Sequence, residues 1–381
     1  MGRKKICFVV SSLGTAKVFL MNHIQELSVH FDVYLVGKHE EKAISFLNKL
    51  EIKEIKDIEI TRNISLLKDF KALLSLRSYF KKMKFDAVHT VTPKVGLVGI
   101  LAARLAGINT RIHIFTGQVW HTKKGLFKTF LMFLDRFTVF NSTHILVDGE
   151  SQRQFLINTK IVKGKDSFVL GKGSISGVNT NRFVPSDLVK KEVREELGIK
   201  EDQVVFMFLG RMNTDKGINE LANAFSRLRK NYRNAILLFA GGDEENMTPM
   251  VLEKVKDKKA LIFYGITLTP ERLLQACDVF CLPSYREGFG TSVIEASLLQ
   301  KPIICSDTYG LMETIIENKT GLRHKVADSD SLFFAMEKLI YNKDLRELLG
   351  KGGREYVLEN FSAQKISEKW VEFYKKKIFN V

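Results

Sequence analysis

CLPSYREGFGTSVIEASLLQ, residues 281–300, sets a short apolar run, a glycine-bearing loop and a helical stretch in immediate succession. The run ends at Pro283, Gly288 and Gly290 punctuate the loop, and helical apolar spacing resumes near Thr291. A buried strand turning through glycines onto a helix is the repeating unit of a parallel α/β sheet. Such a turn presents free backbone N–H groups and about half a positive charge, a combination suited to a diphosphate. Glu295 stands roughly one turn inside the helix, where a carboxylate can accept from ribose hydroxyls. Glu287 lies on the loop at the far side of the phosphate site, where a sugar would sit. The plainer alternative is that Glu295 steadies the first helical turn and Glu287 is solvated.

Outward from this stretch the pattern repeats. Strand-like runs at Val204–Leu209, Ala235–Ala240, Leu261–Tyr264, Val279–Pro283 and Ile303–Cys305 alternate with helical stretches at Ile218–Lys230, Pro270–Ala276 and Thr291–Gln300. The first half follows the same plan: Ile6–Val10, Asp32–Val36, Ala87–Thr90, Thr110–Phe115 and His144–Val147 alternate with helical stretches such as Lys17–Ser28, Lys68–Met83 and Val95–Ala106. GKGSISGVNTN, 171–181, lacks apolar periodicity and separates the halves. The expected architecture is α/β: two Rossmann-like doubly wound domains, residues 1–172 and 173–360, facing across a cleft. A helix at 361–381, with Trp370, Phe373 and Tyr374 on one face, is expected to cross back to the N-terminal domain. Ligands of such sheets gather at the carboxyl ends of the strands.

Length and composition agree with two cores: 381 residues, 45% hydrophobic. The charge is lopsided. Residues 1–173 hold 28 basic and 14 acidic side chains, net +14, and the remainder is net +2. The first half therefore faces something anionic. Cys7, Cys277, Cys281 and Cys305 form no CxxC pair and read as reduced core residues of a cytoplasmic protein. No stretch approaches the roughly 20 apolar residues of a membrane span, so the expectation is a soluble or surface-attached protein.

LGRMNTDKG, 209–217, follows the first strand of the second half. Arg211 and Lys216 would enter the cleft there and offset the charge of a departing diphosphate. With these residues in view, the second half resembles the retaining glycosyltransferases of the GT-B fold, family 4, and among them the bacterial capsule and O-antigen assembly enzymes. The resemblance rests on Gly210-Arg211 with Lys216-Gly217, the Glu287-x7-Glu295 pair and SISGVNTNRF at 174–183, and it extends over nearly the whole chain. It implies that Glu287 contacts the donor sugar and Glu295 the ribose, with Arg211 and Lys216 on the diphosphate. Glu287, Arg211 and Lys216 are accordingly the catalytic candidates. The loop residues Gly288, Phe289, Gly290, Thr291 and Ser292 complete the implied donor site.

In the first half, SSLGTA (11–16) matches a family loop that closes over the donor phosphates, and Gly14 is the residue carried over. HTVTPK (89–94) ends a strand; the resemblance implies that His89 and Lys94 bind acceptor, Lys94 at a phosphate, while a capping segment with a packed histidine is the alternative. In RIHIFTGQVWH (111–121) the chain departs from the family, whose His-Gly pair is here Thr116-Gly117. Thr116 and Gln118 can hydrogen-bond a sugar or acceptor, but neither is a base near neutral pH. His113, on the strand itself, is expected to be packed. From 120 to 140, Lys123, Lys124 and Lys128 flank large apolar residues, suiting a membrane-surface enzyme together with Lys81, Lys82 and Lys84. Most of Phe127, Phe130, Leu131 and Leu134 read as core at helical spacing. Asp328-Ser329-Asp330 spells a DxD metal signature, but precedes Leu332–Ile340 as a helix cap.

The sequence thus predicts a retaining hexosyltransferase that moves a sugar from a UDP-sugar to a polyprenyl-diphosphate-linked saccharide. It would act in cell-surface polysaccharide synthesis, at the cytoplasmic face of the bacterial plasma membrane. No cofactor, divalent metal or nucleic-acid partner is expected. The alternatives are a UDP-sugar 2-epimerase of similar architecture and a non-catalytic anion-binding protein.

Overall fold

The computed structural model describes residues 2–61 and 65–380. The chain forms two compact units, 1–177 with 363–381 and 178–362. In the first, strands β1 (Lys5–Ser12), β2 (Asp32–Lys38), β3 (Ile52–Asp57), β4 (Ala87–Val91), β5 (Thr110–Phe115), β6 (His144–Val147) and β7 (Ser167–Val169) form one sheet. Its order is β3-β2-β1-β4-β5-β6-β7, all parallel. Helices α1 (Leu13–Phe19), α2 (Met21–His30), α3 (Glu41–Leu47), α4 (Leu66–Met83), α5 (Pro93–Leu105), α6 (Gly125–Asn141) and α7 (Glu150–Asn158) connect the strands.

Alternation along β1 shows why both faces are covered. Ile6, Phe8 and Val10 enter one core, while Cys7 and Val9 enter the other, with residues of α4 and α5. The first unit's sheet includes two strands absent from the sequence reading. β3, IKEIKD, lies at the sheet edge and lacks a buried apolar run, and β7 has only three residues.

The second unit holds β8 (Val204–Leu209), β9 (Ala235–Ala240), β10 (Leu261–Gly265), β11 (Val279–Leu282), β12 (Ile303–Ser306) and β13 (Gly321–His324), in the order β10-β9-β8-β11-β12-β13. Its helices are α8 (Asp187–Glu196), α9 (Ile218–Asn231), α10 (Thr248–Lys254), α11 (Pro270–Leu273), α12 (Thr291–Leu298), α13 (Ser329–Tyr341) and α14 (Lys343–Asn360). α9 buries Leu221, Phe225 and Leu228, one stripe at helical spacing. Asp328 caps α13, its side chain accepting from the amides of Asp330 and Ser331 at 2.9 Å. All four cysteines are free and buried.

Helix α15 (Ala363–Glu372) and the π-helical turn Phe373–Phe379 belong to the first unit. Trp370 lies between two imidazoles, 4.5 Å from His23 and 5.0 Å from His89, its ring nearly parallel to both. Phe8 packs against both His89 and Trp370, at 5.3 and 6.0 Å. His23 also bonds Ser367 Oγ at 3.0 Å and the carbonyl of Ile175. Tyr374 Oη stands 2.8 Å from His89 Nδ1.

Candidate active site

The carboxyl edge of the second sheet is built from loops that lean directly on one another. Gly217, the residue before α9, has φ of 67°, and a Cβ there would stand 2.1 Å from the carbonyl oxygen of Pro283. Only glycine allows the β8–α9 and β11–α12 loops to approach this closely. Tyr285 N donates to Asp215 O at 2.8 Å across the same junction. Arg286 closes it with an ion pair to Asp215 at 2.7 Å.

Lys216 Nζ pairs with Glu287 Oε1, and Ser284 Oγ donates to the same oxygen at 2.7 Å. The structure therefore joins two of the three catalytic candidates in one contact, both side chains mostly buried. Arg211 is held elsewhere. Its Nη1 lies 2.9 and 3.0 Å from the two oxygens of Glu244, and Asn213 Nδ2 donates to Glu244 at 3.1 Å. Glu245 accepts from both the amide and hydroxyl of Thr214. Each cation is thus oriented by its own carboxylate, so the edge carries positive charge in a fixed place without leaving it uncompensated.

The β11–α12 loop is braced by the loop after β12. Gly290 N donates to Gly310 O at 3.1 Å. Gly310 has φ of 79°, and a Cβ there would meet the carbonyl oxygens of Glu287 and Gly288 at 2.5 and 2.6 Å. Helix α12 starts at Thr291 with no side chain capping it, and Thr291 and Ser292 are half-buried. Phe289 corrects the sequence reading: it is buried against Phe361 at 5.3 Å, so its ring is core and only its backbone faces the loop. Glu295 is half-buried, and burial pushes its carboxyl up to about 7, with Arg182 pulling down and Glu271 pushing up. A group held near neutrality in this way can accept or donate a hydrogen bond at little cost.

The first unit's edge differs from expectation in several places. His89 is fully buried in the aromatic stack, and burial lowers its pKa well below the usual imidazole range. It offers no surface to an acceptor. Gln118 is also fully buried, 3.5 Å from Gln152 Nε2, whose own oxygen accepts from Asp148 N at 2.8 Å. Lys94 is paired with Asp69 at 2.8 Å. Thr116 is half-buried at the end of β5. Gly14 N donates to Glu40 Oε2 at 3.0 Å. His113 is packed, as the sequence suggests, 2.9 Å from Thr90 Oγ1. Thr92, between β4 and α5, has φ of 80° in a non-glycine residue, a strained conformation costing about 1–3 kcal/mol.

Residues 5–148 match the model of the glycosyl transferase 4-like family and 189–356 that of the glycosyl transferases group 1. The capsular polysaccharide biosynthesis glycosyltransferase CapM of Staphylococcus aureus is 30% identical, over 91% of this chain and 90% of that protein. The chain belongs to the family 4-like glycosyltransferases. An Escherichia coli relative of this glycosyltransferase is the UDP-Gal:alpha-D-GlcNAc-diphosphoundecaprenol alpha-1,3-galactosyltransferase, 28% identical over 95% of this chain and 93% of its own. Among solved structures, Anabaena HepE in complex with UDP-glucose superposes with a TM-score of 0.81 at 16% identity, covering 97% of this chain and 98% of its own. The two parallel-sheet units are those of the GT-B fold.

Sequence reasoning missed the carboxylates that orient the glycosyltransferase's cations. Glu244 and Glu245 follow Gly241-Gly242 at the end of β9, the neighbour of β8, and that adjacency was the available signal. It also missed Asp148 at the end of β6, whose carboxyl burial pushes up to about 8. Among the described residues no three His, Cys, Asp or Glu side chains stand together as metal ligands would.

Proposed function

We propose that the chain is a retaining hexosyltransferase that takes a UDP-sugar and glycosylates a polyprenyl-diphosphate-linked saccharide in capsule or O-antigen synthesis. The single observation that carries the donor half is the Lys216–Glu287–Ser284 contact beside the open N-terminus of α12. When a diphosphate arrives, Lys216 exchanges part of its pairing with Glu287 for a phosphate oxygen, and Glu287 turns to a sugar hydroxyl. Arg211, presented by Glu244, and the amide of Ser292 take up the charge that grows on the leaving group, while those of Gly290 and Thr291 donate to Gly310 O and Phe289 O and hold the loop in shape. Glu295 accepts from the ribose. The leaving phosphate oxygen receives the acceptor proton on the same face of the sugar, so the protein acts by positioning rather than by supplying a nucleophile. The acceptor half draws support from the E. coli relative, whose name specifies a diphosphoundecaprenol-linked acceptor. It is also supported by the positive balance of the first unit. On this reading the enzyme works at the inner face of the plasma membrane.

The test is a donor screen by mass spectrometry, with undecaprenyl-diphosphate saccharides as acceptors. One UDP-sugar should give a product one hexose heavier, with the anomeric configuration of the donor kept. A UDP-sugar converted to its epimer without acceptor, or no turnover with any donor, would overturn the assignment.

A further inference from the structure

α4, α5 and α6 pack side by side on one face of the first sheet. Each runs back from the carboxyl edge, so the first turns of α4 and α6 sit at the edge that holds Lys94 and Thr116. The Lys94–Asp69 pair ties the start of α5 to the start of α4 there. Both flanking helices carry a second apolar stripe that is left about half or more exposed among the described residues. On α4 it is Leu66, Leu67 and Phe70, at 82%, 87% and 60% exposed, opposite the buried stripe of Ala72, Leu76 and Phe80. On α6 it is Leu126, Phe127 and Phe130, at 89%, 50% and 47%. Phe127 and Phe130 therefore leave the core that their spacing suggested, while Leu131 and Leu134 are half-buried.

Exposed Lys68 and Lys71 flank the first stripe, and exposed Lys123 and Lys124 the second. The first turn of α6 holds no acid, and that of α4 holds only Asp69, already paired with Lys94. Lys81, Lys82 and Lys84 lie at the other end of α4 and so on the opposite edge. Interaxial distances of about 8–10 Å place the two stripes roughly 20 Å apart, with α5 between them. Two apolar ridges rimmed by lysines on a single edge form a surface for a bilayer bearing anionic headgroups, the acyl boundary taking the leucines and phenylalanines and the headgroups the ammonium groups.

We propose that the first turns of α4 and α6 dock this chain on an anionic bilayer, setting the acceptor edge of the first unit against the lipid surface. The proposal deepens the lipid-linked acceptor reading and rests on it for its purpose, but not for its test. The full chain is sedimented with phosphatidylcholine vesicles, with and without phosphatidylglycerol. Wild type should bind the phosphatidylglycerol vesicles. Leu126→Ser with Phe130→Ser, and separately Leu67→Ser with Phe70→Ser, should each lower the partition coefficient about tenfold. Lys123→Gln with Lys124→Gln should weaken the preference for anionic vesicles. All these side chains are exposed, so melting temperatures should hold. Wild type remaining in the supernatant with both vesicle types, or serine variants that sediment as well as wild type, would overturn the proposal. So would a dimer that the serine substitutions split, which assigns the face to a second copy. Transfer to a short-chain, water-soluble acceptor should be unchanged in the variants. A wild type that binds vesicles yet transfers nothing refutes the activity and leaves the docking surface standing.

Discussion

The carboxyl edges of the two sheets are built on opposite plans. In the second unit, charged side chains cross-link neighbouring loops: Lys216 to Glu287, Arg286 to Asp215 and Arg211 to Glu244. In the first, the polar residues that look most chemical are sunk into the interior, His89 against Phe8 and Trp370 and Gln118 beside Gln152. An edge held by ion pairs can exchange partners when an anion arrives. An edge held by packed rings and buried amides keeps one shape, and recognition falls to the side chains left half-exposed.

The largest break in this comparison comes from the exchangeable pair. Lys216→Ala or Glu287→Ala should lower transfer about 10²–10³-fold, measured as kcat/KM for the donor, and the double variant should lose little more than either single one. Near-normal turnover in both would remove the second edge from the chemistry. Next is the rigid edge: Trp370→Ala should cost about 3–5 kcal/mol of first-unit stability in urea, since the ring is fully buried between His23 and His89. Protection from hydrogen exchange should fall in β1 and β4 while the second unit is unaffected.

A smaller effect comes from pH. Burial holds His23 and His113 at about 4 and about 3, so the unfolded chain takes up their protons first. Their contribution is complete above 6.5 and is lost as pH falls toward 4. Asp148, pushed up to about 8, works in the other direction: its contribution is present in acid and is lost as pH rises from about 4 through 8. Asp148→Asn should stabilise the first unit above pH 8 relative to wild type and leave the acid limb in place, as read from urea midpoints across pH. The smallest expected effect is that of a chelator. If Arg211 and Lys216 meet the diphosphate as proposed, EDTA should leave transfer within about twofold. A loss rescued by a divalent cation would reassign the charge work.

What could be read from the chain alone follows how local the determining contacts are. The 281–300 stretch is legible because strand, glycine loop and helix start are contiguous, and β5, β6, β8 and β9 fall where their β-branched runs fall. The sequence leaves His89 between two readings, acceptor contact and a packed ring, because its partners Trp370 and Tyr374 come from the far end of the chain, beyond any local pattern. Arg211 was found, but its carboxylate was not, since Glu244 approaches only once β9 pairs with β8. Helical spacing identified α6 but not which of its apolar faces turns inward. A helix with two such faces gives one periodic signal.

The second unit is an insertion within the first. The path leaves after Gly177 and returns at Ala363, and the two crossings run beside each other, Val178 bridging Ser362 in parallel and donating to Phe361 O at 2.8 Å. A ribosome therefore finishes every strand of the seven-stranded sheet some 200 residues before it makes the tryptophan that covers Phe8 and His89. Through that interval the nascent sheet has an open aromatic face. Stop codons late in the message, which spare every residue of the second unit, should still yield an insoluble product.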